Sequence, residues 1–261
     1  MNTVPCDIHC HTERSACAED VTLDWYVDFA TENPDAVFAI TDHSAQMFYP
    51  DDNPWGFWSD DAREIFEGCR ESGRRRIAEY IADIRAAQTG GMLLGIELDM
   101  FLDGTPVLDE NQLDEFDVLL GAVHTYPGVR NDAPASEVIS DYRQFVERLM
   151  RWGIHVLAHP FRILADSGYV ISDDLIAWVV QTASEHDVAL EINSHKQLRD
   201  TDIRMATLAL EAGVPLAAGT DSHRLSEFGD FSYHTKIAET LRQTPQSLYS
   251  CPIRRSATAA K

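Results

Sequence analysis

Three things are scarce in this chain, and each scarcity excludes a class of protein. No apolar run approaches the roughly 18 to 20 residues that a membrane helix requires, so no membrane partner is expected. Positive charge is thin: 21 Lys and Arg stand against 43 Asp and Glu, for a formal net charge of −22. Gripping a long nucleic acid takes a basic face that displaces counterions. This chain supplies such a face only locally, so no long nucleic acid is expected, and the acidity reads as a well-solvated surface. Cysteine is the third scarcity: the five (Cys6, Cys10, Cys17, Cys69, Cys251) make an odd count without the paired spacing of a disulfide scaffold or zinc ribbon. With no secretory signal at the N-terminus, that usage points to a reducing cytoplasm. A chain of 261 residues buries enough core to need no disulfide staple.

What is present is a rhythm. Short aliphatic runs at Val4–Ile8, Val37–Thr41, Met92–Ile96, Val118–Val123, Ile154–Ala158, Val188–Ile192 and Pro215–Thr220 read as strands buried on both faces. Between them lie amphipathic stretches at Leu23–Glu32, Ala62–Ala87, Ser136–Trp152, Asp173–His186, Asp202–Ala212 and His234–Gln243, which read as helices. Ser136 stands where an N-cap belongs, and Gly153 and Gly213 stand just past helix ends. Strands alternating with helices imply parallel pairing through right-handed crossovers. Seven of them suggest a closed or nearly closed β/α barrel, a single α/β domain over residues 1–250 with a loose tail at 251–261.

The residues after each run carry the chemistry. The first leads into His9 and His11, the second into Asp42 and His43, the third into Glu97 and Asp99. His124 follows the fourth, His159 the fifth, Glu191 and Asn193 end the sixth, and Asp221 and His223 follow the seventh. Six of the ten histidines thus sit at C-terminal strand ends, which share one face of a parallel barrel. His9 and His11 are two apart, as are Asp221 and His223, so on a strand each pair points to one side. Imidazoles mixed with carboxylates suit zinc, manganese or iron, and burying so many ionisable groups without cations is costly. Eight such candidates exceed one tetrahedral ion, so at least two metals are expected, with Glu97 as the natural bridge. Paired ions roughly 3.5–4 Å apart hold a hydroxide whose pKa falls from about 15.7 toward 7 and clamp a phosphoryl oxygen. Hydrolysis of a phosphate ester is the chemistry that fits.

The segments Asp7-Ile8-His9-Cys10-His11-Thr12, Ile40-Thr41-Asp42-His43, Gly95-Ile96-Glu97, Gly121-Ala122-Val123-His124, Leu157-Ala158-His159-Pro160, Glu191-Ile192-Asn193 and Gly219-Thr220-Asp221-Ser222-His223 together resemble the PHP (polymerase and histidinol phosphatase) superfamily. That resemblance implies a distorted (β/α)7 barrel and a site for up to three divalent metals. By it, His9, His11, Glu97 and Asp221 would hold the first, and Glu97, His124 and His159 the second. His43 and His223 would hold the third, completed from the loop after the first strand. Where family members carry Asp or His in that loop, this chain reads Ser15-Ala16-Cys17-Ala18-Glu19-Asp20. The candidates there are Cys17, whose thiol a metal would deprotonate, and Glu19 or Asp20.

A phosphate also needs cations and donors. Arg162, Lys196, Arg199 and Arg224 fall in loops on the metal face, with Asn193 among them, and are the candidate substrate contacts. His195 is the candidate proton donor to the leaving oxygen. His155, His186 and His234 read as structural, and Arg74-Arg75-Arg76 as a solvated helix face. The long connection from Ser44 to Ala62 carries Phe48, Tyr49, Trp55, Phe57 and Trp58, read either as an aromatic wall over the substrate or as a plug at one end of the barrel. The favoured function is a phosphomonoesterase for a small phosphorylated metabolite. The alternatives are a phosphodiesterase or nucleotide phosphohydrolase, and a non-catalytic metal-binding module. Oligomeric state is open.

Overall fold

The computed structural model describes residues 6–131 and 133–252. Seven strands are paired in parallel in chain order: β1 (Asp7–Cys10), β2 (Val37–Ile40), β3 (Gly91–Leu98), β4 (Val118–Gly121), β5 (Val156–Leu157), β6 (Ala189–Asn193) and β7 (Leu216–Gly219). Asp7 of β1 pairs with Ala218 of β7 and closes the ring. The (β/α)7 barrel expected from the rhythm is the fold found. Of the first expected run, Val4 and Pro5 lie outside the described residues.

The helices in chain order are α1 (Leu23–Glu32), α2 (Ser44–Phe48), α3 (Ala62–Ala87), α4 (Pro127–Arg130), α5 (Ala135–Arg151), α6 (Arg162–Asp166), α7 (Asp173–His186), α8 (Arg199–Ala212), α9 (Ser232–Thr240) and α10 (Pro245–Leu248). Three start or stop for reasons visible in their caps. The Thr22 and Ser172 side chains accept from the third residue of α1 and α7, and Gly213 ends α8 at φ 70°, a conformation that costs glycine little. Ser136 does not cap α5: the helix begins one residue earlier, after Pro134, with no side-chain cap. The distortion lies between β3 and β4, where the crossover carries a 3-10 turn at Glu110–Glu115 in place of an α-helix.

Inward and outward side chains alternate along the strands. Ala39, Val118, Leu120, Ala122, Val156, Ala158, Ala189 and Ala217 fill the interior with small residues, whereas Phe38, Ile40, Leu94, Ile96, Leu98, Leu190, Ile192 and Leu216 pack outward beneath the helices. The inner rows end in Glu97, His124, Glu191 and Asp221, at the C-terminal rim. On β1 the register slips between Asp7 and Cys10, so Ile8 joins the inner apolar layer while His9 next to it reaches the rim cluster; a bulge re-aims a side chain in this way.

Two features of the seam escaped the sequence. A two-residue strand, β8 (Tyr249–Ser250), pairs with the start of β7, below the point where β1 meets it. Beside it, Cys6 and Cys251 form a disulfide with Cα atoms 5.5 Å apart. The reading that the cysteines lack paired spacing and that the chain needs no disulfide staple gave no sign of it: spacing carries no trace of partners 245 residues apart. The expected tail begins at this bonded cysteine, and residues 253–261 lie outside the described part.

Candidate metal centre

Glu97 is the hub. Its carboxylate is 1% exposed and faces five imidazoles: His9 (3.5 Å), His11 (3.7 Å), His43 (3.0 Å), His124 (3.3 Å) and His159 (3.1 Å). Its Oε2 contacts His9, His11 and His43, and its Oε1 contacts His124 and His159, so the two oxygens divide the ring of imidazoles between them. Burial alone would raise the Glu97 carboxyl, but His43, His9 and His124 outweigh it and hold the group well below the usual carboxylate range. Asp221 is the second hub. His11 Nε2 lies 3.1 Å from its Oδ1, His9 Nε2 3.5 Å and His223 Nε2 3.7 Å.

Two of these rings, His9 and His124, have their outer nitrogen tied to a second carboxylate. Glu191 takes His9 Nδ1 at 2.8 Å. Asp99 Oδ1 takes His124 Nδ1 at 3.0 Å, and it lies 3.3 Å from His43 Nδ1, the same nitrogen that faces Glu97. A carboxylate on one nitrogen fixes tautomer and ring plane and leaves the other nitrogen for a cation. Burial would push the His9 imidazole down, yet Asp221, Glu191 and Glu97 drive it well above its ordinary value.

The backbone is bent to make the cluster. His159 (φ 29°) and Asp221 (φ 52°) both occupy the left-handed region, which costs a residue with a Cβ about 1–3 kcal/mol and concentrates at functional sites. At Gly219 a Cβ would stand 1.9 Å from Glu191 Oε1, so only glycine lets that carboxylate pass beneath His9.

The loop after β1 brings Cys17 to the cluster. Ligand atoms of His11, Cys17 and His43 lie within 4.8 Å of one another, and His223 stacks on the far side of His11 at 4.8 Å. Burial holds the Cys17 thiol above its usual range, against the pull of His43 beside it. The alternatives in that loop are engaged elsewhere: Glu19 pairs with Arg224, and Asp20 accepts from the Leu225 amide. Asp42 turns away and holds the loop, taking the Thr12 amide and hydroxyl at 2.7 Å each and the Ser15 hydroxyl at 2.6 Å.

The expected substrate contacts separate. Arg162 is inside: its guanidinium bonds Asp221 and, at 3.1 Å, Asn193 Oδ1. Asn193 in turn donates to Glu191 and Asp221, 3.2 Å each. His195 stands at the rim, its ring 4.6 Å from that of His223 and its Nδ1 3.7 Å from Glu227. Lys196 pairs with Asp166 at 3.4 Å, and Arg199 lies 3.8 Å from Asp200. Arg224 is drawn to Glu19; Arg199 and Arg224 are thus not brought to the cluster, while Lys196 lines a small cavity with His159, Arg162, Glu191 and Asn193. His234 bonds the Ile192 carbonyl at 2.8 Å, and His155 accepts from the Leu119 amide at 3.0 Å, both structural as read. Arg76 is no solvated face: it donates to the carbonyls of Met47 and Phe48 and pins the aromatic segment. Asp99 and Glu191 were visible at strand ends, but their orienting role was missed. Their signal was the spacing of two from Glu97 and Asn193, which sets both residues of each pair on one face.

The donor set fits divalent cations. His9 Nε2 and Glu97 Oε2 are buried and have no hydrogen-bond partner among the described residues, and imidazoles mixed with carboxylates and one thiol suit zinc, manganese or iron. Fold and site together define a β/α barrel built around a multi-histidine metal centre. The chain belongs to the PHP domain family, whose sequence profile matches residues 7–195. It is 26% identical over 260 residues to the probable phosphatase YcdX of Escherichia coli K12, covering 96% of this chain and 91% of that protein. The YcdX of Shigella dysenteriae serotype 1 is similar to the same extent. Among solved structures, the histidinol phosphate phosphatase of Lactococcus lactis, complexed with zinc, L-histidinol and phosphate, superimposes with a TM-score of 0.52. It is 17% identical and matches 89% of this chain and 93% of its own.

Proposed function

We propose that this protein is a metal-dependent phosphoesterase that releases phosphate from a small phosphorylated metabolite. The observation that carries the reading is the buried Glu97 carboxylate, faced on one oxygen by His9, whose outer nitrogen meets Glu191, and on the other by His124, whose outer nitrogen meets Asp99. His9, His11, Glu97 and Asp221 would hold one ion, Glu97, His124 and His159 a second, and His43, His223 and Cys17 a third, with zinc, manganese or iron as the candidates. Bound there, such ions supply Lewis acidity and an activated water for attack on phosphorus.

The protein's own residues do the rest. Arg162, buried against Asp221 and supported by Asn193, is the group to bind a non-bridging phosphoryl oxygen, since a guanidinium offers paired donors to phosphate. His195 at the rim is the proton carrier for the departing alkoxide oxygen, with Glu227 facing its Nδ1. Water adds to phosphorus, the phosphorus–oxygen ester bond breaks, and the alcohol leaves with the proton. The name of YcdX and the phosphate held by the Lactococcus structure support this reading.

The test is phosphate release from a panel of phosphomonoesters by protein supplied in turn with zinc, manganese and iron. Turnover that chelation abolishes and metal restores is expected. Inert protein under every metal would overturn the reading, and cleavage of a dinucleotide with monoesters untouched would replace it with a phosphodiesterase.

A further inference from the structure

The aromatic segment between β2 and α3 divides into two groups. Phe48, Tyr49 and Phe57 are at most 1% exposed and belong to the core, which makes them the plug. Trp55 and Trp58 are only partly buried and stack on each other with centroids 4.9 Å apart. Trp55 meets His43 edge-on at 5.2 Å, and both indoles lie 6.3 Å from the ring of His124. Two indoles therefore border the metal centre on the side of its β2 and β4 residues, while Arg162, reaching Asn193 and Asp221, borders it on the side of β6 and β7. The wall is braced: Arg130 donates to the Trp58 carbonyl and pairs with Asp60 at 2.9 Å, and Arg76 holds the Met47 and Phe48 carbonyls. The indole N–H of Trp58 is shielded from solvent and has no acceptor among the described residues, a donor the fold itself does not use.

We infer that Trp55 and Trp58 form the subsite for the alcohol portion of the substrate, and that this portion carries a flat, unsaturated ring. The inference rests on the phosphoesterase reading, because a phosphoryl group fixed near Glu97 and Arg162 leaves its ester substituent to extend along the opposite, indole side. A saturated chain gains only area against such a wall, whereas a planar ring also gains stacking on the indole face.

Benzyl phosphate and cyclohexylmethyl phosphate decide the matter, since both release a primary alcohol of similar size and acidity and differ in planarity. The metal-loaded protein is expected to favour the benzyl ester by about tenfold in kcat/KM, and Trp55→Leu or Trp58→Leu to shrink that preference to about twofold with the bound metal count unchanged. Equal turnover of the two esters, or a preference that survives both substitutions together, would overturn the subsite. Preference for phosphocholine over both would overturn it in favour of a cation. Binding of the matching phosphonates, followed by quenching of indole fluorescence, separates the two proposals. Should no ester turn over, selective binding of benzylphosphonate still upholds the subsite while the reaction falls, and indifference between the phosphonates overturns it.

Discussion

Glu191 accepts a hydrogen bond from His9 Nδ1 at 2.8 Å, and that contact decides which nitrogen of His9 faces Glu97 and Asp221. Glu191→Gln keeps the shape but can no longer hold His9 as a proton donor with the same force. Loss of such an outer partner typically weakens metal binding about 10–100-fold. The expected result is a matching rise in the zinc dissociation constant with an unchanged far-ultraviolet spectrum. Wild-type affinity in the variant would show that packing alone orients His9.

As a metal ligand, Cys17 would bring a soft donor into a set otherwise built from nitrogen and oxygen. With cobalt in place of zinc, a thiolate ligand should produce a sulfur-to-metal charge-transfer band, and Cys17→Ala should abolish it and lower the metal count by about one. An unchanged count would return the role to Glu19 or Asp20, whose carboxylates would then have to leave Arg224 and the Leu225 amide.

Of the four expected cations, Arg162 is the one that pairs with a carboxylate of the cluster. Arg162→Lys retains charge but loses the paired donors. Inhibition by inorganic phosphate should weaken about tenfold or more, as a charge-assisted contact of about 1.5–3 kcal/mol implies. Unaltered phosphate inhibition would leave Arg162 as a structural partner of Asp221.

Asp202 gives a pH-dependent prediction away from the metals. It accepts from the Tyr233 hydroxyl, yet burial dominates and pushes its carboxyl from 3.8 up to about 7. An acid with a raised folded-state pKa contributes stability that is full below its unfolded value and is lost as pH climbs through the folded one. Asp202→Asn removes that slope. The variant should gain on the wild type between about pH 4 and pH 7, by up to about 4 kcal/mol, measured by urea unfolding at both ends of the range. A constant difference between the two proteins would place the Asp202 pKa near its ordinary value.

Much of this was legible in the sequence because strand chemistry repeats every two residues. His9 with His11, Glu97 with Asp99, and Glu191 with Asn193 announce a shared face before any coordinates are known. The bulge in β1 was not legible, since strict alternation sets Ile8 opposite His9 and gives no reason for both to point inward. Nor was β8, a two-residue strand whose only cause is the open start of β7. The division of the aromatic segment was hidden for a different reason: Phe57 and Trp58 are neighbours of similar hydrophobicity, and only the fold decides which one meets solvent.

The joining of Cys6 to Cys251 has a mechanical consequence. Both lie at the floor of the barrel, where strands begin, while every candidate ligand stands at the opposite end. The link therefore fastens the start of β1 to the chain just past β8 without touching the rim where the imidazoles and carboxylates gather.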